Sequence, residues 1–174
     1  MEHYILAINP GSTSTKVAVF KNTELQFEDT LRHSTQELAP YARIADQYEF
    51  RRNVIVESLN RREFSLTRLS AIVGRGGLLR SIPGGTYLVN DLMLNDLKAA
   101  ERGEHASNLG GLLAKELGDE LQIPSFIVDP VVVDEMHDVA RISGHPLIER
   151  KSIFHALNQK AVAKRYALSI GRPY

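Results

Sequence analysis

Apolar positions at the start of the chain come in short blocks divided by polar turns. Residues 4–9, 15–20 and 25–31 each read as a β-strand, and the brevity of the turns predicts an antiparallel meander. The period then changes. Ile44, Tyr48, Ile55 and Leu59 fall on one face of a helix over residues 43–60, which leaves the pairs Arg51-Arg52 and Arg61-Arg62 expected mostly on its solvated side. Residues 71–74 make a short strand of buried type that runs into Arg75-Gly76-Gly77, where the backbone is free to turn. A further strand is predicted at 86–89 and a helix at 91–100, with Asn90 as its cap and a break at Gly103. Leu109, Leu112, Leu113, Leu117 and Leu121 recur at helical spacing from about 106 to 121, a core stripe with Ser107 or Asn108 near its N-terminus. Ile127-Val128 closes another buried strand at Asp129-Pro130, and a last helix over 152–167 is expected to bury Ile153, Leu157 and Ala161.

Three strands followed by strands alternating with helices imply a mixed α/β domain, an antiparallel edge on a parallel sheet. The 174 residues, 43% of them hydrophobic, suffice for one domain with its own core. Basic and acidic residues balance at 21 each, with no basic run interleaved with aromatics, so nucleic acid is not an expected partner. The absence of cysteine excludes disulfides, thiolate zinc sites and a cysteine nucleophile, and fits a reducing compartment. Met1-Glu2-His3 and the short strand after it lack the basic start and longer apolar core of a signal peptide, and no apolar run approaches membrane-spanning length. A cytoplasmic location without a membrane partner is expected.

Chemistry concentrates where strands end. Asn9-Pro10-Gly11-Ser12-Thr13-Ser14-Thr15-Lys16 joins the first two strands with four hydroxyls, a glycine and a lysine. Gly11 lets backbone N–H groups approach a ligand, the hydroxyls donate hydrogen bonds and Lys16 neutralises charge, so an anion, phosphate above all, suits this turn. A plain polar hairpin has the same composition. The spacing is not that of a Walker loop, and the turn leads into a strand rather than a helix. Arg75 stands at a strand end beside small residues, where a guanidinium can offer two parallel donors to a carboxylate or form a structural ion pair. His105, at a helix start, can face an anion as a neutral donor or serve as a cap. Asp129 ends a buried strand before a proline that cannot continue the ladder, and is expected to point into a cleft. Asp134, Glu135, His137 and Asp138 can be drawn as a metal cluster, but adjacent charges after a strand usually form a solvated face.

The opening resembles the acetate and butyrate kinase family of acyl-phosphate kinases, whose N-terminal signature is an apolar strand followed by Asn-x-Gly-Ser-(Ser/Thr)-Ser-x-Lys. Asn9, Gly11, Ser12, Thr13, Ser14 and Lys16 match it position by position, Pro10 looks like the butyrate-type branch, and further matches extend over essentially the whole chain. The resemblance implies a ribonuclease-H-like half domain of the kind found in actin, sugar kinases and acetate kinases, in which two halves enclose a nucleotide. This chain has one, so the partner is expected to be a missing C-terminal half or a second copy in a homo-oligomer. The implied reaction is phosphoryl transfer from ATP, with Mg2+, to butyrate or a similar short acid, giving an acyl phosphate and ADP. The implied roles are phosphate binding by Asn9, Gly11, Ser12, Ser14 and Lys16; substrate binding by Arg75, His105 and His155; catalysis by Asp129, Arg75 and Gln159; and magnesium, directly or through water, at Asn9 and Asp129. Acetate kinases carry two histidines at the start of the last helix; this chain keeps His155 and has Gln159 in place of the second, a donor without charge. The alternative is a non-catalytic half that folds and binds anions or a partner half without turnover.

Overall fold

The computed structural model describes residues 1–174. Six strands form one mixed sheet in the order β3-β2-β1-β4-β6-β5. The meander is present: β1 (Tyr4–Pro10), β2 (Ser14–Lys21) and β3 (Glu24–Arg32) pair antiparallel, Ala7 opposite Ala18 and Val17 opposite Asp29. On the other side of β1 the chain turns parallel. β4 (Leu69–Arg75) pairs with β1, and β6 (Ser125–Val128) with β4, while β5 (Thr86–Leu88) closes the edge antiparallel to β6. The carboxyl ends of β1, β4 and β6 therefore lie side by side, at Pro10, Arg75 and Val128.

Strand alternation separates the sheet into two unequal faces. Leu6, Ile8, Val17, Val19, Ile72 and Ile127 are buried to within about a hundredth of their surface. They meet α2 (Tyr48–Arg61) and α4 (Leu109–Leu121), which contribute Ile55, Leu59, Leu109, Leu113 and Leu117 to the same core. The leucine stripe of α4 is thus the core stripe its spacing predicts. Against the sheet it fits with no room to spare: a Cβ on Gly74 would stand 2.0 Å from the Gly110 carbonyl oxygen, and one on Gly110 2.1 Å from that of Arg75. Only glycine at both positions lets backbone meet backbone there. The opposite face, with Ile5, Ala7, Phe20, Val73, Phe126 and Val128, is half-buried.

Several details depart from the pattern. The helix of residues 43–60 is divided into a 3-10 turn, Ile44–Gln47, and α2, and Tyr48 is exposed while Arg51 is fully buried. α1 (Thr35–Leu38) is a single turn held by a capping box between Ser34 and Glu37. α3 (Asp91–Ala99) has the predicted Asn90 cap, whose side chain accepts from the Met93 N–H at 2.9 Å, but it ends at left-handed Ala100 and not at Gly103. The last helix, α5 (Ala156–Ser169), begins four residues later than expected and buries only Ala156. Residues 152–154 are irregular instead, held by the Ser152 hydroxyl donating to the Val133 carbonyl and the Phe154 N–H to that of Val131. Ile153 and Ala161, expected in the core, are exposed. No helix is long and apolar enough to cross a membrane.

Candidate functional site

The turn after β1 is built from below. Its Gly11 N–H donates to the Ser14 carbonyl at 2.7 Å, and Ser12 and Thr13 are exposed at its tip. Beneath it lies Arg51, reached from α2, donating to the carbonyls of Gly11, Ser12 and Ser14 and to the Thr15 hydroxyl. Gln47, one helical turn earlier, accepts from the same guanidinium at 2.9 and 3.2 Å. The Thr15 hydroxyl also meets His33 Nε2 at 2.9 Å, while Nδ1 of that buried ring has no partner. Burial, and secondarily the charge of Arg51, hold the His33 pKa below the ordinary histidine value. This corrects the sequence expectation for Arg51, which is no surface residue. Of its companions, Arg61 and Arg62 do lie outside, pairing with Glu57 and Asp29, while Arg52 is half-buried and pairs with Glu120. The signal was present, since Gln47, Arg51, Ile55 and Leu59 recur every four residues along one buried ridge.

The ends of β4 and β6 carry the second part. Arg75 lies opposite Val128, and the Gly76 N–H donates to the Val128 carbonyl at 3.1 Å, so the residue after Val128 is drawn beside the guanidinium. That residue is Asp129, 7% exposed and in the left-handed region at φ 48°. Its Oδ2 accepts from an Arg75 terminal nitrogen at 3.2 Å and lies 3.1 Å from His155 Nδ1; its Oδ1 accepts from the Leu157 N–H at 3.1 Å, capping α5 from a distant strand. His155 Nδ1 is also 2.8 Å from the Asp129 carbonyl oxygen. Facing only acceptors, Nδ1 carries the ring proton and turns Nε2 outward. Arg75 spends one nitrogen on Asp129 and keeps Nε and its other terminal nitrogen free of protein partners, with a quarter of the side chain exposed.

Other predicted residues stand further apart. Asn9 is half-buried at the end of β1, opposite Lys16. Lys16 is exposed on the sheet face opposite Thr15 and leans on Glu28 at 3.6 Å. His105 opens the 3-10 turn Ala106–Asn108, where its Nδ1 accepts from the Ser107 N–H at 3.2 Å; in the neutral ring the proton is then on Nε2, the opposite tautomer to His155. Asn108 holds the N-cap position of α4 but its side chain makes no capping bond: its amide accepts from the Leu78 N–H and donates to the Gly103 carbonyl, tying the loop after Arg75 to the loop before α4. Gln159 is exposed on the first turn of α5 and lines a cleft of about 190 Å³ with Glu135 and Lys160, apart from Asp129. The acidic run after β6 forms ion pairs, Asp134 with Arg141 on both oxygens and Glu135 with Lys160, and these cations hold both carboxyls below the usual range. No group of three or more histidine, aspartate and glutamate side chains gathers to hold a metal ion. Asp129 has both oxygens engaged, a donor set that suits magnesium held through water and substrate phosphate better than one coordinated directly.

No protein-family profile matches the chain. Over all 174 residues it is 59% identical to a probable butyrate kinase of Clostridium botulinum (strain Eklund 17B / Type B) and 56% identical to butyrate kinase 2 of Clostridium acetobutylicum, spanning 49% of each. The chain spans about half the length of the curated relatives it matches. Among solved structures, acetate kinase from Porphyromonas gingivalis matches 99% of the chain with 50% of its own length, at TM-score 0.64 and 14% identity. A propionate kinase from Francisella tularensis matches 98%, again with 50% of itself, at 0.63 and 15%. At such identities the likeness is one of fold: a mixed α/β sheet with an antiparallel edge, as the order of strands and helices predicts.

Proposed function

We propose, for a chain homologous to butyrate kinases along its whole length and spanning about half of theirs, that it is the N-terminal half of a short-chain carboxylate kinase, which transfers the γ-phosphoryl group of ATP to butyrate. One observation supports this most: Arg75 stands at the end of β4 with two guanidinium nitrogens unspent and Asp129 fixing the third, beside the strand end that carries the hydroxyl-rich turn.

Butyrate has a pKa of about 4 to 5, so it arrives ionised and needs no general base. An oxygen of the carboxylate forms the new bond to phosphorus as the bond from phosphorus to the bridging oxygen breaks, and ADP leaves with that oxygen. The obstacle is repulsion between two anions, so positioning and positive charge supply the catalysis. Asp129 takes one hydrogen of one terminal nitrogen, which leaves Arg75 one pair of parallel N–H donors to hold the carboxylate in a fixed plane, and keeps the guanidinium from rotating. The donors of Asn9, Ser12 and Ser14 receive the phosphoryl oxygens, Gly11 leaves the backbone open to their approach while its own N–H stays on the Ser14 carbonyl, and Lys16 stands at the rim. His105 offers Nε2–H to an anionic oxygen, and His155, when protonated, does the same. Gln159 is a donor only if the first turn of α5 moves towards the site. Magnesium held through water by Asp129 and the Asn9 amide would neutralise phosphate charge.

The experiment is the variant Arg75→Lys in the complete kinase containing this half. Lysine keeps the charge and loses the paired donors, so KM for butyrate rises about tenfold or more while KM for ATP changes little. Equal changes for both substrates contradict the assignment.

A further inference from the structure

Every oxygen that reaches Arg51 is uncharged. Its guanidinium donates to the Gly11 carbonyl at 2.8 Å, Ser14 at 3.1 Å, Ser12 at 3.2 Å, the Thr15 hydroxyl at 3.0 Å and the Gln47 amide oxygen, and no carboxylate pairs with it. Arg52, Arg61, Arg62, Arg75 and Arg141 all have such a partner. Burial lowers the Arg51 pKa only to about 10, so the fully buried side chain is cationic at neutral pH. A charge withdrawn from water without a counter-ion is costly to keep, and its field emerges where the covering layer is thinnest. Here that layer is one exposed turn.

The direction of the peptide groups in the turn follows from the same bonds. A carbonyl and the N–H of the next residue point opposite ways across one planar peptide. With the Gly11 and Ser12 carbonyls drawn down onto Arg51, the N–H groups of Ser12 and Thr13 point outward, and neither finds a backbone acceptor in the chain. Two adjacent outward N–H groups, two exposed hydroxyls and a buried positive charge behind them suit an anion. We infer that Arg51 is the positioning residue of this turn, holding its carbonyls inward so that the Ser12 and Thr13 amides receive a phosphoryl group of the nucleotide. The inference rests on the kinase reading and adds to it a residue on α2, outside the strand-end site.

The test is steady-state kinetics of the complete kinase with Arg51→Met, which keeps the bulk of the stem and removes every donor. KM for ATP rises about tenfold or more while KM for butyrate stays within about twofold, since only the phosphate side has lost its shape and charge. A role in support of the fold alone lowers the yield of active enzyme and moves neither KM. Where Arg51→Met does not fold, Gln47→Leu and Thr15→Val each free the guanidinium from one neutral partner, and each raises KM for ATP about threefold. An active parent whose folded variants leave KM for ATP unchanged, or change both KM values equally, overturns the inference and leaves the kinase reading standing. A parent that forms no acyl phosphate overturns that reading and the inference with it.

Discussion

At Asp129 a single carboxylate joins three elements: it takes a donor from Arg75 on β4, stands at the end of β6 and caps α5 through the Leu157 N–H. Asparagine tolerates the left-handed backbone there and still accepts from Leu157, but turns an amide N–H towards Arg75 and His155. Asp129→Asn is therefore expected to cost about 1.5–3 kcal/mol of stability, the range for a hydrogen bond to a charged group, and to reduce acyl-phosphate formation on the order of a hundredfold or more. Thermal melting and rate are measured together; a near-normal rate with normal melting removes Asp129 from the site. His33 gives a prediction about pH. Its folded pKa lies below the unfolded value near 6.5, so as pH falls through 6.5 the unfolded chain takes up the proton first and stability drops until the folded pKa is reached. Between pH 7 and 5 the melting temperature of the parent should fall more steeply than that of His33→Asn, and parallel slopes would refute the burial of a neutral ring. Arg75 and Asp129 were legible because each ends an apolar strand next to a glycine or proline. Arg51 was misread because a charge on a helix is assigned to solvent by type even where, as here, its spacing from Gln47, Ile55 and Leu59 sets it on the buried ridge, and three of its partners are backbone carbonyls, which carry no mark in the sequence.

Among the elements, α4 is the one the residue pattern describes most fully, since a continuous core stripe has one possible use. Its approach to β4 is set by Gly74 and Gly110, whose absent side chains bring helix backbone against the strand that ends in Arg75. Gly110→Ala forces the two apart and is expected to cost about 1–3 kcal/mol as overpacking, with KM for butyrate raised because Arg75 moves along with its strand. Denaturant unfolding and substrate kinetics check both; a stable variant with unchanged KM would show that the helix can give way locally. The start of α5 was less legible. Spacing within 152–167 reports an amphipathic face, but where the helix starts depends on Ser152 and Phe154 finding the carbonyls of Val133 and Val131 and on Leu157 finding Asp129, a long-range matter. The 3-10 turn before α2 likewise follows from the capping contact of Arg43 with Asp46, which apolar periodicity does not register.

The whole molecule has a finished side and an open one. α2 and α4 close one face of the sheet, whereas Ile5, Ala7, Phe20, Val73, Phe126 and Val128 on the other are half-buried, and Val162, Tyr166, Leu168 and Ile170 are exposed along α5 and at its end. An apolar expanse of this kind is uncommon on a lone domain. The chain by itself is expected to bind a hydrophobic dye and to sediment as a concentration-dependent mixture of species; a strictly monomeric, dye-negative chain would mean that the open face is adequately solvated. In-line transfer requires acid, nucleotide and magnesium held together, and under the proposed function this chain supplies one wall of such a site. The most direct measurement is hydroxamate trapping of acyl phosphate from butyrate and ATP, made on the complete kinase and on the 174-residue chain alone. The account predicts turnover of about 1 to 100 per second from the complete kinase and none from the chain. An inactive complete kinase, or turnover in that range from the chain alone, would contradict it.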